Sequence, residues 1–483
     1  MFNYKVIGNI LGILLLINGG FMLLCLPVSL YFWETEWLSI AISSGITVSI
    51  GFLLRFLTRN NKNKDLKKKD GYLIVTAGWI FMSFFGALPY LISGAIPSFT
   101  NAFFETVSGY TTTGASILTD IEAVSKGILF WRSLTQWIGG MGIIVLALAI
   151  LPFLGIGGMQ LFVAEAPGIT PDKLQPRIQE TAKRLWFIYF GLTVTEAILL
   201  YFAGMTPYDA MNHSLTTMAT GGFSTMNASL AGQSPAIQYI VIVFMFLAGT
   251  SFTLTYFALK RNFTKVIRNE EFVVYTLFTL VITLIVTITL LVVTESSFEA
   301  SFRDALFQVV SIITTTGFVS ADYTSWAPFL SVLFFILLFV GGSAGSTAGG
   351  VKVIRHVVLF KNSFLELKRQ LHPSAVIPVR ISGKAMEQNI VYNVLAFIMI
   401  YILVFLVGVT LLSSMNVDFD TAFGAVATSL GNVGPGIGDV GPVDNFSAMP
   451  MGGKWLLGFL MLLGRLELFT VLMLLSPYFW KKR

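Results

Sequence analysis

The chain has 483 residues, 55% of them hydrophobic and only 12% charged, and its mean hydropathy of +0.78 excludes a water-soluble globular domain and marks an integral membrane protein. The single cysteine, Cys25, excludes an intrachain disulfide framework. His213, His356 and His372 lack ligand spacing with one another or with Cys25, so no zinc or haem site is expected.

Apolar runs of about 20 residues, enough for a helix to cross a bilayer, predict ten spans, at 6 to 31, 36 to 58, 71 to 95, 128 to 151, 184 to 204, 236 to 259, 272 to 294, 328 to 350, 389 to 413 and 455 to 479. The first carries no small-residue cleavage pattern and is followed at once by another, so it is expected to be retained rather than removed as a signal peptide. Every second connection is basic: Lys5, 55 to 69, 173 to 184, 260 to 268, 352 to 384 and the terminal "KKR" hold 26 of the 31 Lys and Arg. The positive-inside rule then makes those connections and both termini cytoplasmic. The net charge of +6 thus reports topology, and nucleic-acid binding has no other support.

Four of the external connections align without a gap: "FTNAFFETVSGYTTTGA" (99 to 115), "PYDAMNHSLTTMATGGF" (207 to 223), "FRDALFQVVSIITTTGF" (302 to 318) and "FDTAFGAVATSLGNVGP" (419 to 435). Alanine recurs twelve residues before a glycine (Ala102, Ala210, Ala305, Ala422) and a hydroxyl six before it (Ser108, Thr216, Ser311, Thr428). A repeat of about a hundred residues, span, half-buried helix, glycine stretch, span, follows. The expected organisation is two leading helices with a basic loop (1 to 70) and four repeats at 71 to 165, 166 to 268, 269 to 384 and 385 to 483. The fold class is all-α and polytopic, with a pseudo-tetrameric channel-like pore.

Each aligned segment reads as a re-entrant hairpin, about three turns of helix entering the membrane and an extended stretch leaving it. Non-helical backbone at that depth is tolerated only inside protein or around a water-filled cavity, and rings of carbonyl and hydroxyl oxygens replace the hydration shell of a monovalent cation. The candidate ion-binding residues are Thr111, Thr112, Thr113 and Gly114; Ala219, Thr220, Gly221 and Gly222; Thr314, Thr315, Thr316 and Gly317; and Gly431, Asn432, Val433 and Gly434. The half-helices aim their partially negative C-terminal ends at the centre, which favours cations, and the absence of an acidic ring argues against divalent ones. The competing account is that Thr and Gly only permit close helix packing; four aligned copies favour a filter.

The eighth span ends in "GGSAGSTAGG" (341 to 350), where five glycines, each costing about 1 kcal/mol relative to alanine, should break the helix. A phosphate loop is not expected, because Val351 stands where that motif needs lysine. Gly345, Ser346, Thr347, Ala348, Gly349 and Gly350 are instead candidates for a segment lying across the path, or else a close-packing hinge. The following stretch, 351 to 373, alternates apolar and basic residues at near-helical spacing, as a lipid-surface helix or a partner-docking face would; the loop at 166 to 184 is the other candidate docking element. Arg465 reads as the only basic residue deep within a span, and Glu467, two residues on, points to another helix face. Either Arg465 forms a structural ion pair or, the favoured reading, it faces the pore below the filter and donates to the 345 to 350 segment.

With "TTTGA", "ATGGFST", "TTTGF", "GNVGPG" and "GGSAGSTAGGVK", the chain resembles the Trk/Ktr/HKT superfamily of potassium transporters, most closely its TrkH-type subunit, over essentially its whole length. The resemblance implies potassium uptake across a bacterial cytoplasmic membrane, a homodimer, the 341 to 350 segment as an intramembrane gate, and a cytosolic regulatory subunit that binds nucleotide. No cofactor is expected on this chain, and potassium is the substrate. Glycine in all four repeats favours potassium over sodium, whereas some plant relatives carry serine in the first; Asn432 and Val433 depart from the threonine pattern and put the symmetry of the pore in question. An ion-coupled carrier with proton or sodium symport is the alternative, though four repeats in one orientation differ from the inverted repeats common in carriers. No intramembrane enzyme site is expected.

Overall fold

The computed structural model describes residues 2–59, 68–142 and 178–481. The end of the first repeat, the basic residues 60 to 67 and most of the 166 to 184 loop lie outside them. Two leading helices, α1 (Tyr4–Leu23) and α2 (Trp37–Thr58), pack along a seam of small residues: Ser44 Oγ donates to the Gly19 carbonyl at 2.8 Å, and a Cβ on Gly12 would lie 2.7 Å from the Gly51 oxygen. Small residues let membrane helices approach this closely. The pair is fastened to the first repeat by the Tyr110 hydroxyl, which donates to Asn18 Oδ1 at 2.5 Å.

Each repeat opens with an outer helix, α3 (Lys68–Gly86), α6 (Ile178–Phe202), α10 (Glu270–Val293) or α14 (Gln388–Ser413). A buried half-helix follows: α4 (Phe99–Tyr110), α7 (Pro207–Met218), α11 (Phe298–Ile313) or α15 (Phe419–Gly431). The half-helices start where sequence chemistry says they should. The Thr206 and Ser297 side chains accept from Asp209 and Ala300 N–H, and acids occupy the first turn at Asp209, Glu299 and Asp420, complementing the positive helix terminus.

The inner helices depart from the sequence reading. Among the described residues six helices are long and apolar enough to cross a membrane, or seven counting one bent pair, because the second span of repeats 2, 3 and 4 is interrupted and much of that of repeat 1 lies outside the described residues. α5 (Lys126–Gly140) stops at a turn; α8 (Pro235–Ala248) meets α9 (Phe252–Leu259) at 108°; α12 (Pro328–Leu337) unwinds until α13 (Val353–Leu371); and α16 (Met451–Arg465) breaks before α17 (Phe469–Leu475). The expectation that only the eighth span is broken is therefore corrected. Hydropathy sees a span's apolar content and is blind to a turn inserted in it.

Candidate functional site

All four half-helices end in the same way. The N–H of Thr113, Gly221, Thr316 and Val433 reaches back to the carbonyl of Ser108, Thr216, Ser311 and Thr428 at 2.8 to 3.0 Å, and the N–H of Thr112, Thr220, Thr315 and Asn432 to that of Gly109, Thr217, Ile312 and Ser429 at 2.8 to 3.3 Å. This pair of bonds defines a Schellman termination, which requires a left-handed residue just past the helix. Those residues have φ of 52° (Thr112), 53° (Thr220), 54° (Thr315) and 53° (Asn432). For β-branched threonine this is a strained conformation, of the kind held at functional sites by the surrounding structure. Asparagine adopts it readily, so Asn432 preserves the backbone symmetry that its side chain had put in question.

Two residues on, Gly114, Gly222, Gly317 and Gly434 are left-handed again, at φ 83°, 75°, 78° and 105°. A Cβ on Gly114 would lie 2.3 Å from the Gly221 oxygen, on Gly222 2.0 Å from the Thr316 oxygen, on Gly317 2.0 Å from the Val433 oxygen, and on Gly434 2.7 Å from the Thr113 oxygen. Each glycine abuts the next repeat and the fourth returns to the first. The four loops therefore close a ring, narrow enough to exclude any side chain at that level. Among the described residues no donor reaches the carbonyls of Thr113, Thr316 or Val433, while that of Gly221 accepts from Gln136 Nε2 at 2.6 Å.

The side chains add a lower symmetry to this fourfold backbone. Repeats 1 and 3, opposite each other in the ring, carry hydroxyl pairs, Thr111 with Thr113 and Thr314 with Thr316, both 2.8 Å apart. Repeats 2 and 4 have Ala219 and Gly221, and Gly431 and Val433, at those positions. Asn432 Nδ2 ties the last repeat to the first through Thr113 Oγ1 at 3.0 Å and also reaches the Met461 carbonyl at 2.9 Å.

Directly beneath the ring lies the unwound stretch of the third repeat. The Gly349 N–H donates to Thr315 Oγ1 at 2.6 Å, and the Thr347 hydroxyl lies 2.9 Å from the Met218 carbonyl and 3.3 Å from that of Ala248. Arg465 donates to the Thr347 carbonyl at 2.7 Å and to the Gly139 and Gly140 carbonyls at 2.6 and 2.9 Å. The stretch and Arg465 together thus touch all four repeats. Gly345 and Gly350 are left-handed, at φ 78° and 63°, and the Ser346 hydroxyl donates to the Ser343 carbonyl at 2.6 Å. Ala348 is buried, and its carbonyl accepts from Lys352 Nζ. Glu467 makes an ion pair with Arg355 at the start of α13.

Several supporting residues went unread in the sequence. Arg132 is buried, 2% exposed, near the start of the span expected at 128 to 151. Its Nε donates to Glu105 Oε1 at 2.7 Å and its NH1 to the Ser224 carbonyl at 3.0 Å, with the guanidinium 3.5 Å above the Phe223 ring. Gln136 brackets Gly222, accepting from the Phe223 N–H at 3.1 Å while it donates to Gly221. Glu271 accepts from the N–H groups of Ala344, within the unwound stretch, and Ile354, just past it, at 2.7 and 3.3 Å. The available signal was the polar residue in an apolar span, which is costly unless it faces a protein interior.

The family model described as cation transport protein, TrkH, matches residues 38–482. The chain is 41% identical to the Trk system potassium uptake protein TrkH of Halomonas elongata, over 99% of both proteins, and 41% identical to that of Escherichia coli K12, over 99% of this chain and 100% of that one. The crystal structure of the potassium transporter TrkH from Vibrio parahaemolyticus superimposes with a TM-score of 0.89 at 40% identity, covering 99% of this chain and 100% of that one.

Proposed function

This chain belongs to the TrkH family of cation transport proteins, and from that premise we propose that it takes up potassium through the ring at Gly114, Gly222, Gly317 and Gly434, which acts as its selectivity filter. It is a multi-pass protein of a bacterial membrane. The observation that carries the filter assignment is the closed ring of left-handed glycines, each against the next repeat's carbonyl. Three of these four oxygens, those of Thr113, Thr316 and Val433, are held there without protein donors among the described residues, as the ligands of a dehydrated monovalent cation need to be. The residues from 345 to 350, with Arg465, form the gate: contact with every repeat blocks the axis, and the guanidinium opposes cation occupancy below the filter.

The repeats divide the chain at about 71, 166, 269 and 385, after the two leading helices, and both termini face the cytoplasm. The protein works as a homodimer with a cytosolic nucleotide-binding subunit that regulates the gate. A stripe of exposed apolar residues on α13, Phe360, Phe364, Leu367 and Leu371, supports that helix as the docking face. Purified protein in liposomes tests the reading by potassium, rubidium and sodium flux, with and without a pH gradient. Potassium flux well above sodium flux, independent of the gradient, is expected. Equal potassium and sodium fluxes exclude the filter; flux that requires the gradient replaces the channel with a proton-coupled carrier.

A further inference from the structure

Nine residues before each ring glycine stand Glu105, His213, Gln308 and Ala425. The first three are fully buried, and each meets a serine just beyond the glycine of its own repeat. Ser116 Oγ lies 2.9 Å from Glu105 Oε1, Ser224 Oγ 3.0 Å from His213 Nε2, and Ser320 Oγ 3.2 Å from Gln308 Nε2. Three unrelated side chains make one contact, spanning from half-helix to ascending segment behind the ring.

The proton directions make the first two contacts equivalent. His213 Nδ1 lies 2.8 Å from the Asp209 carbonyl, which only accepts, so Nδ1 carries the proton and Nε2 of the neutral ring takes one from Ser224. The Ser116 hydroxyl likewise donates to Glu105. Each serine oxygen in turn accepts from the N–H two residues on, Leu118 at 3.1 Å and Met226 at 3.0 Å. In repeat 3 the polarity reverses and Gln308 donates. Repeat 4 has no such side chain at Ala425; instead the Tyr323 hydroxyl, from repeat 3, donates to the Gly436 carbonyl at 2.7 Å.

We infer that Glu105, His213 and Gln308 are specificity-determining positioning residues, struts that hold the ascending segments and so set the spacing of the ring oxygens without touching the ion. The inference rests on the filter proposed above. The struts also make the four repeats unequal. Repeat 1 is held by a carboxylate backed by Arg132, repeats 2 and 3 by neutral side-chain bonds, and repeat 4 by the Asp439 N–H donating to Thr421 Oγ1 at 3.0 Å together with the Tyr323 bond from its neighbour. Ring discrimination between potassium and sodium depends on how many oxygens are held and where, so loosening one segment degrades selectivity before it degrades folding.

The test compares potassium and sodium flux through full-length protein in liposomes for Ser320→Ala, Gln308→Leu, their double variant, His213→Ala, His213→Gln and Gly317→Ala. Either half of the repeat 3 strut, once removed, should lower the potassium preference roughly fivefold, one buried hydrogen bond expressed as a ratio. The double variant should be no worse than the singles, and His213→Gln should recover most of what His213→Ala loses. A purely structural role would lower the melting temperature and leave the flux ratio alone. Ser320→Ala removes one oxygen and keeps the test valid should larger changes misfold. Folded Ser320→Ala and Gln308→Leu proteins with the parental ratio, beside a Gly317→Ala protein that has lost it, overturn the struts alone; a parental ratio in Gly317→Ala as well overturns the filter and the struts with it.

Discussion

At the ring, the residue two before each glycine has φ between 52° and 54° in all four repeats, whether it is threonine or asparagine. The inner helices that follow share no such geometry. The first inner helix stops at Met141, the second bends by 108° at 249 to 251, the third is unwound from 338 to 352, and the fourth breaks at the left-handed pair Glu467 and Leu468. On the proposed reading of ring and gate, the difference follows from what each level has to do. A cation surrounded by oxygens needs every repeat to contribute the same geometry, whereas one segment is enough to block a path.

The largest expected effect tests whether the regular ring depends on irregular support. Glu105→Ala strands the buried Arg132 charge, and breaking a buried pair from one side costs about 3 to 5 kcal/mol. Thermal melting in detergent should show a large drop in transition temperature, partly restored by adding Arg132→Met. An unchanged melting curve would mean that the ring stands without this buttress.

Next in size is the ring itself. Alanine at Gly114, Gly222, Gly317 or Gly434 meets a neighbouring carbonyl within 2.7 Å and adds left-handed strain of about 1 to 2 kcal/mol, so potassium over sodium preference should fall at least about tenfold in each. Symmetry predicts similar losses in all four flux assays. One exempt repeat would break the comparison.

A smaller effect is expected below the ring, and of a different kind. Arg465→Ala removes a charged donor that reaches the Thr347, Gly139 and Gly140 carbonyls. Basal flux without any partner should rise by about tenfold, the equivalent of one charge-assisted hydrogen bond, and the potassium to sodium ratio should stay parental. A lowered ratio with unchanged basal flux would transfer Arg465 from gate to filter.

The ring was legible in the sequence because its requirement is local. Each repeat must present glycine at one spacing, and an ungapped alignment detects that directly. The breaks were less legible. "GTS" at 249 to 251 and "LEL" at 466 to 468 hold at most one glycine and no proline, and the second is made of good helix formers, so tertiary contacts set those turns against local propensity. Glu105 and Arg132 meet across 27 residues of chain, and neither carries a mark of its partner in sequence. Asn432 was half legible: its side chain marks the lower symmetry of the ring, while its backbone at φ 53° keeps the fourfold pattern.

The smallest expected effect lies in the exposed loops where Asp120 of the first repeat meets Asn227 of the second. Asp120 accepts from the Asn227 side chain at 2.9 Å and from the Glu122 and Ala123 N–H groups at 3.2 and 3.3 Å. The Asn227 bond, chiefly, holds the Asp120 carboxyl below the usual carboxylate range, and the two backbone bonds act in the same direction. A folded-state pKa lower than the unfolded one stabilises the protein above the unfolded pKa, and the contribution is lost as pH falls through the folded value. Asp120→Asn should therefore melt slightly below the parent at neutral pH, with the gap closing as the solution is acidified below the ordinary carboxylate range. The site is exposed, so solvent screening keeps the gap small, and potassium preference should not change. A gap that persists in acid would assign the effect to hydrogen-bond geometry instead of charge, and a changed preference would extend the ring's regularity out to these loops.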